Sequence, residues 1–308
     1  MIPVLQFIFG AILLYYGAEY LIRSGKLIAV RLGAPPLLIG ITFIAFGTSL
    51  PELIVSIYAV ISDASGIALG NIIGSNIANI GLILGLTAVI TPIHFVFKPS
   101  RIDFYFLLTT TLLFGLFLYF ETLTRITGIL FLILLSSYSV YLYRIHKNED
   151  FIVTEPYTWK MGLFFIFGIV GLWQGSDLFI KGSVTLAEYL GVSPLVIGTT
   201  IVALGTSLPE LATSMVAASK NEPEIAVGNI IGSNLFNILA VMGIVLQFND
   251  IIFEFSSISI SVIIMVIFTM LLVIILRRYN CISRKLGLLF LIVYTFSIVW
   301  VFQTGTVQ

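Results

Sequence analysis

The chain has 308 residues, 59% of them hydrophobic and 10% charged, with a mean hydropathy of +1.12 and no net charge. This composition excludes a soluble domain of that length, and the even charge balance gives no support for a nucleic-acid or acidic partner. The single cysteine, Cys281, excludes an internal disulfide and leaves a thiolate metal site unsupported.

The apolar blocks are continuous and separated by short polar breaks, so they read as membrane-spanning helices rather than barrel strands. Blocks of about twenty residues predict ten spans, at 3–31, 36–62, 66–93, 102–120, 125–144, 159–189, 194–219, 224–248, 255–276 and 286–303. The first block has no basic region before it and no small-residue cleavage pattern after it, so it is expected to be a span and not a signal peptide. The first and sixth are long enough to tilt strongly or to run past the membrane surface. The most polar linker, 147–158, is too short for a soluble domain and separates 1–146 from 159–308.

Ten spans put both termini on one side. The loops joining spans 1–2, 3–4, 5–6, 7–8 and 9–10 hold thirteen Lys and Arg residues, against Arg125 and Lys181 on the other face. Positive charge is retained in the cytoplasm, so the linker is expected to be cytoplasmic and both termini extracellular, in the cell membrane.

Residues 35–85 align with 193–243 at a constant offset of 158, without a gap, with 27 identities in 51 positions. The alignment pairs Gly47-Thr48-Ser49-Leu50-Pro51-Glu52 with Gly205-Thr206-Ser207-Leu208-Pro209-Glu210, and the Gly-Asn-Ile-Ile-Gly-Ser-Asn run 70–76 with 228–234. Five spans per copy is an odd number, so the copies are expected to be inverted, an arrangement that places transporter sites near the midplane. Ser49 and Ser207 lie near the centres of spans 2 and 7, and mid-depth is preserved on inversion.

A proline at position 51 gives no N–H to the Gly47 carbonyl and crowds it, which predicts a kink and freed carbonyls near Ala45, Gly47 and Thr48. Thr48 and Glu52 share a helical face; span 7 repeats the set with Ala203, Thr206, Ser207 and Glu210. In spans 3 and 8, Ser75 with Asn79 and Ser233 with Asn237 are also four apart. For these the competing reading is helix packing, since Gly70, Gly74, Gly228 and Gly232 let backbones approach closely. The pooled oxygens, without His or Cys, form a hard-cation set suited to an ion such as Ca²⁺.

Two midplane carboxylates cost roughly 2.5–3.5 kcal/mol each. One Ca²⁺ or two Na⁺ would neutralise them, which is the logic of an exchanger. A passive cation channel is the alternative from another class. No zinc-protease motif, thiol site or phosphate-binding loop suggests an enzyme. Glu19 with Arg23, and Asp177 with Lys181, read as structural i,i+4 pairs; His94 and His146 have no metal-like spacing.

On these motifs the whole chain resembles the sodium/calcium exchanger family of the calcium/cation antiporter superfamily, in its compact prokaryotic form. The resemblance implies an all-α membrane protein of two inverted five-helix repeats, with kinked helices 2 and 7 and helices 3 and 8 at its core. It implies transport of Na⁺ and Ca²⁺ without a cofactor, by a functional monomer in the lipid bilayer. Glu52 and Glu210 would be the shared carboxylates, and the Thr48 and Thr206 carbonyls would complete the calcium site. An outer sodium site would use the Ala203 carbonyl, Ser207 and Ser75 beside Glu210. An inner one would use the Ala45 carbonyl, Ser49 and Ser233 beside Glu52, with Asn79 and Asn237 lining the middle. Proton/calcium members look like Gly-Asn-Ala-x-Glu at the motif, so the Gly-Thr-Ser-x-Pro-Glu of this chain favours sodium over an H⁺/Ca²⁺ exchanger. Potassium-dependent members carry Asp at the position of Asn237, which argues against K⁺ co-transport. Spans 1 and 6 would slide as the gate.

Overall fold

The computed structural model describes residues 2–31, 36–94, 97–146, 159–191, 204–279 and 281–303. Eight of its helices are long and apolar enough to cross a membrane, and a bent pair makes a ninth. The expected seventh span is described only from residue 204. The linker 147–158 and Ala203 lie outside the described residues. The chain divides into two compact units, Met1–Pro51 with His146–Asn229, and Glu52–Ile145 with Ile230–Gln308. Each unit draws on both copies of the sequence repeat.

The first unit is built on two 30-residue helices, α1 (Ile2–Arg31) and α7 (Lys160–Tyr189), packed along each other. At 1.5 Å per residue each runs for about 45 Å, half as long again as a hydrocarbon core of about 30 Å, as the sequence suggested. Their seam is made of glycines seven residues apart, Gly10 and Gly17 facing Gly168, Gly175 and Gly182. A Cβ at Gly17 would lie 2.7 Å from the Leu172 nitrogen, and one at Gly175 would lie 2.8 Å from the Leu14 nitrogen. Small residues give backbones van der Waals contact where lipid supplies no hydrophobic drive. Away from the seam both helices carry exposed aromatics such as Tyr16 and Phe167.

Also in this unit are α2 (Gly40–Thr48), whose first five residues are π-helical, and α8 (Leu208–Ser219). α2 is followed by α3 (Leu50–Ile61) across a bend of 51°, the kink expected at Pro51. The division between units falls inside α3, after Pro51.

The second unit holds the rest of α3, then α4 (Ser65–Ile90), α5 (Phe97–Tyr119), α6 (Arg125–His146, up to Ile145), α10 (Phe255–Arg278) and α11 (Arg284–Gln303). α9 (Pro223–Val245) divides between the units after Asn229. Two short antiparallel pairings join its loops, β1 (Ile93–His94) with β4 (Cys281–Ile282) and β2 (Thr122–Leu123) with β3 (Ile251–Ile252). They are strand pairings that an all-helical reading lacks. Phe104, Phe114, Phe131, Phe268 and Phe290 are its largest buried side chains. Asp103 accepts a 2.6 Å hydrogen bond from the Tyr138 hydroxyl, and Phe106 stacks on that ring.

α4 and α9 differ from the other spans: 78% and 94% of their apolar windows are buried, against 17–39% elsewhere. These are helices 3 and 8, the expected core. The repeat also repeats its local geometry. Asp63 and Asn221, 158 apart, both adopt left-handed φ of 57°. Each closes its helix with the same two bonds, Ala64 N–H to Ala59 and Asp63 N–H to Val60, and Glu222 N–H to Ala217 and Asn221 N–H to Ala218. A π-helical stretch covers Asn79–Leu84 in α4 and Phe236–Val241 in α9. Such stretches concentrate at functional sites.

Candidate functional site

Glu52 and Glu210 are fully buried, each in the first turn of a helix and directly after its proline. Ser49 and Ser207, three residues earlier, have almost the same backbone, φ −85° ψ 8° and φ −89° ψ 6°. That sparsely allowed bridge conformation is where chains turn and where many active-site residues sit.

In the first unit the buried cluster consists of Ala45, Thr48, Ser49, Ser207 and Glu210, with Thr206 half-buried beside them in the chain. The Ser49 hydroxyl donates to Glu210 Oε1 at 3.0 Å. The Thr48 hydroxyl lies 3.2 Å from both the Ala45 carbonyl and Asn229 Oδ1. The Ala45 carbonyl is not left free by the kink: it accepts the Ser49 N–H at 2.9 Å, and it shares the one Thr48 hydroxyl proton with Asn229 Oδ1. The Gly205 carbonyl in the second copy accepts the Ser176 hydroxyl at 2.7 Å.

In the second unit are Glu52, Ser75, Asn79, Ser233 and Asn237, all buried. Ser75 Oγ donates to Glu52 Oε1 at 3.5 Å. Asn79 Nδ2 donates to Asn234 Oδ1 at 2.9 Å, and Asn234 Nδ2 reaches the Asn76 carbonyl at 3.4 Å. The Asn237 amide and the Asn79 oxygen make no hydrogen bond among the described residues. Buried amides of this kind keep their capacity for a ligand or water.

The resemblance sets Ser49 beside Glu52 and Ser75 beside Glu210; in addition, Ser49 donates to Glu210 Oε1 and Ser75 to Glu52 Oε1. Among the glycines expected to make room, Gly228 does so, since a Cβ at Gly40 would lie 2.8 Å from its Cα. A Cβ at Gly70 or Gly74 would meet nothing within 4 Å among the described residues. Gly198, the repeat counterpart of Gly40, lies outside them.

Four further residues join the clusters. Asn71 Nδ2 donates to the Glu52 carbonyl at 3.2 Å and to Ser56 Oγ at 3.0 Å. Asn229 Nδ2 does the same to the Glu210 carbonyl at 3.4 Å and Ser214 Oγ at 3.1 Å. The signal for them was in the repeat, which keeps both Asn and both Ser at the offset of 158.

No group of three or more His, Cys, Asp or Glu lies together among the described residues. A cation site here would draw on hydroxyl, amide and carbonyl oxygens around each carboxylate, which suits hard cations. Away from these clusters, Asp177 and Lys181 form the expected ion pair at 2.8 Å. Glu19 pairs with Lys220, and Lys26 pairs with Glu222, both within the first unit. His94 Nε2 lies 3.7 Å from Cys281 Sγ where β1 meets β4.

Known proteins resemble this chain over most of its length. A putative antiporter, CaxA, of Alkalimonas amylolytica is 39% identical over 76% of this chain and 77% of its own length. The sodium/calcium exchanger MaX1 of Methanosarcina acetivorans is 30% identical over 95% of this chain and 96% of its own. The solved structure of the sodium-calcium exchanger NCX_Mj soaked with Na⁺ and Sr²⁺ superposes with a TM-score of 0.85 at 35% identity, covering 97% of this chain and 98% of that one. The model of the sodium/calcium exchanger protein family matches residues 2–144 and 160–303, and the chain belongs to that family.

Proposed function

We propose that this protein exchanges Na⁺ for Ca²⁺ across the cell membrane by alternating access, with Glu52 and Glu210 supplying the charge of one central site. The observation that carries this reading is the pair of fully buried carboxylates, each at a proline break and each surrounded by neutral oxygens. Buried carboxylates of this kind require a counter-charge. One Ca²⁺ supplies two positive charges and so do two Na⁺, so the two ions can replace each other.

The ten spans form two inverted five-helix repeats, with the cytoplasmic linker at 147–158, both termini extracellular and a functional monomer. Span count, the ungapped repeat and the Lys and Arg distribution support this. The remaining ligands are the carbonyls of Ala45, Thr48, Ala203 and Thr206, the hydroxyls of Ser49, Ser75, Ser207 and Ser233, and the amides of Asn79 and Asn237. The glycine seam of α1 and α7 suits the sliding expected of a gate, since it presents no interlocking side chains. Sodium coupling is supported by the Gly-Thr-Ser-Leu-Pro-Glu motif and by relatives named as sodium/calcium exchangers.

The test is radioactive calcium uptake by proteoliposomes holding the purified protein. Uptake should depend on internal Na⁺ and disappear in Glu52→Gln and Glu210→Gln. Uptake driven by a pH gradient without sodium would establish proton exchange instead, and uptake indifferent to the trans cation would establish a channel.

A further inference from the structure

We propose that Asn71 and Asn229 are positioning residues, each clipping the backbone of a cation-binding glutamate to the serine one turn further along. The inference rests on Glu52 and Glu210 being cation ligands.

The two clips have the same parts. Each Asn donates from one Nδ2 to the carbonyl of its glutamate, Glu52 or Glu210, and to a hydroxyl four residues on, Ser56 or Ser214. A backbone carbonyl can only accept, so the facing amide atom must be the nitrogen. Ser56, Ser214 and Asn229 are fully buried. Polar groups in such surroundings cost stability unless hydrogen-bonded, and an apolar side chain would pack as well. The donor is therefore what the position supplies.

The need for a clip follows from the proline. Glu52 and Glu210 occupy the first turn of their helices beside Pro51 and Pro209, where the proline supplies no N–H, and before Glu52 a bend of 51° breaks continuity with α2. Ser207 makes no capping hydrogen bond to that turn through its side chain. A first turn so placed would fray and let its carboxylate wander. The Asn, coming from the adjacent helix, α4 or α9, ties that turn to a second element. Asn229 adds a third tie, since its Oδ1 accepts the hydroxyl of Thr48. That residue's carbonyl is assigned to the calcium site. A misplaced carboxylate weakens ion binding more than it slows the conformational cycle, so the effect should fall on affinity.

The test uses the full-length protein in sodium-loaded proteoliposomes and reads half-saturating Ca²⁺ and maximal uptake rate separately. Asn71→Leu and Asn229→Leu keep the volume and remove the donors. Each should raise half-saturating Ca²⁺ by about tenfold, the equivalent of one lost hydrogen bond to a well-placed group, with maximal rate changed less than about twofold. Ser56→Ala and Ser214→Ala, which remove the hydroxyl that accepts from the Asn and keep the Asn itself, should raise it several-fold in the same direction, and they decide the matter if the leucine variants do not fold. Unchanged half-saturation in folded variants, or a lower maximal rate at unchanged half-saturation, overturns the positioning role. Glu52→Gln and Glu210→Gln are run in parallel. Retained uptake in those two overturns the cation-ligand reading itself, whereas lost uptake there with unaffected affinity in the Asn and Ser variants overturns the clip alone.

Discussion

Ser49, from the first copy of the repeat, donates its hydroxyl to Glu210, from the second, at 3.0 Å. The first unit thus already couples the break of one helix to the carboxylate of another. Removing the hydroxyl leaves a buried carboxylate oxygen with one donor fewer, a loss of about 1–3 kcal/mol where the group is charged. Ser49→Ala should therefore weaken calcium binding by about ten- to a hundredfold, and Ser49→Thr should recover most of it. Titration of calcium uptake in proteoliposomes gives the two half-saturation values directly.

The carboxylates also predict a stability signature. Ca²⁺ binding to the folded state alone should raise unfolding free energy by about 2.7 kcal/mol at a hundred times its dissociation constant. In Glu52→Gln and Glu210→Gln that gain should vanish, while the ion-free protein should be at least as stable as the parent because a buried charge has gone. Thermal unfolding in detergent, with Ca²⁺ and with a chelator, distinguishes the four cases.

The glycine seam predicts where bulk is not tolerated. A side chain at position 175 would begin 2.8 Å from the Leu14 nitrogen, a backbone atom that cannot step aside. Gly175→Leu should separate α1 from α7, lowering the unfolding temperature by an overpacking cost of about 1–3 kcal/mol and abolishing transport. Gly162, where a Cβ would meet nothing within 4 Å among the described residues, should accept Ala with no effect beyond helix propensity. Unfolding temperature and uptake, measured side by side for both, check the contrast.

The Glu19–Lys220 and Lys26–Glu222 pairs tie α1 to the turn that follows α8. Their counterparts at the repeat offset, Asp177 with Ser62 and Val184 with Ala64, cannot form two ion pairs. Partly exposed pairs contribute only about 0–1 kcal/mol each, so Lys220→Ala with Glu222→Ala should leave the unfolding temperature nearly unchanged. If α1 moves in the cycle, the same double variant should alter exchange rate and remove part of its dependence on ionic strength. Uptake measured from low to high salt tests this.

Much of this was legible in the sequence because the repeat is ungapped. The kink at Pro51, the burial of Glu52 and Glu210 and the central place of α4 and α9 all follow from an apolar run interrupted by the same polar set twice. What was not legible depends on direction. Ser49 meets Glu210 across 161 residues, and no spacing rule reports such a partner. Glu19 finds Lys220 at a separation of 201 residues, beyond the i,i+4 logic that pairs Asp177 with Lys181. Asn71 and Asn229 stood inside a run whose glycines drew attention to packing, although the repeat had marked the amides as well.

The burial of α9 has a consequence for how the protein is made. Its hydropathy of 1.7 equals that of the span Arg101–Tyr119, yet 94% of its window is buried against 39%. Insertion machinery reads hydropathy, so α9 enters the bilayer as readily as a helix meant to face lipid. At that stage Asn229, Ser233, Asn234 and Asn237 lie in hydrocarbon with few partners, an arrangement that stays unfavourable until neighbouring helices arrive. The polar groups proposed to line the transport site thus favour its assembly, by making every partly assembled state worse than the complete one.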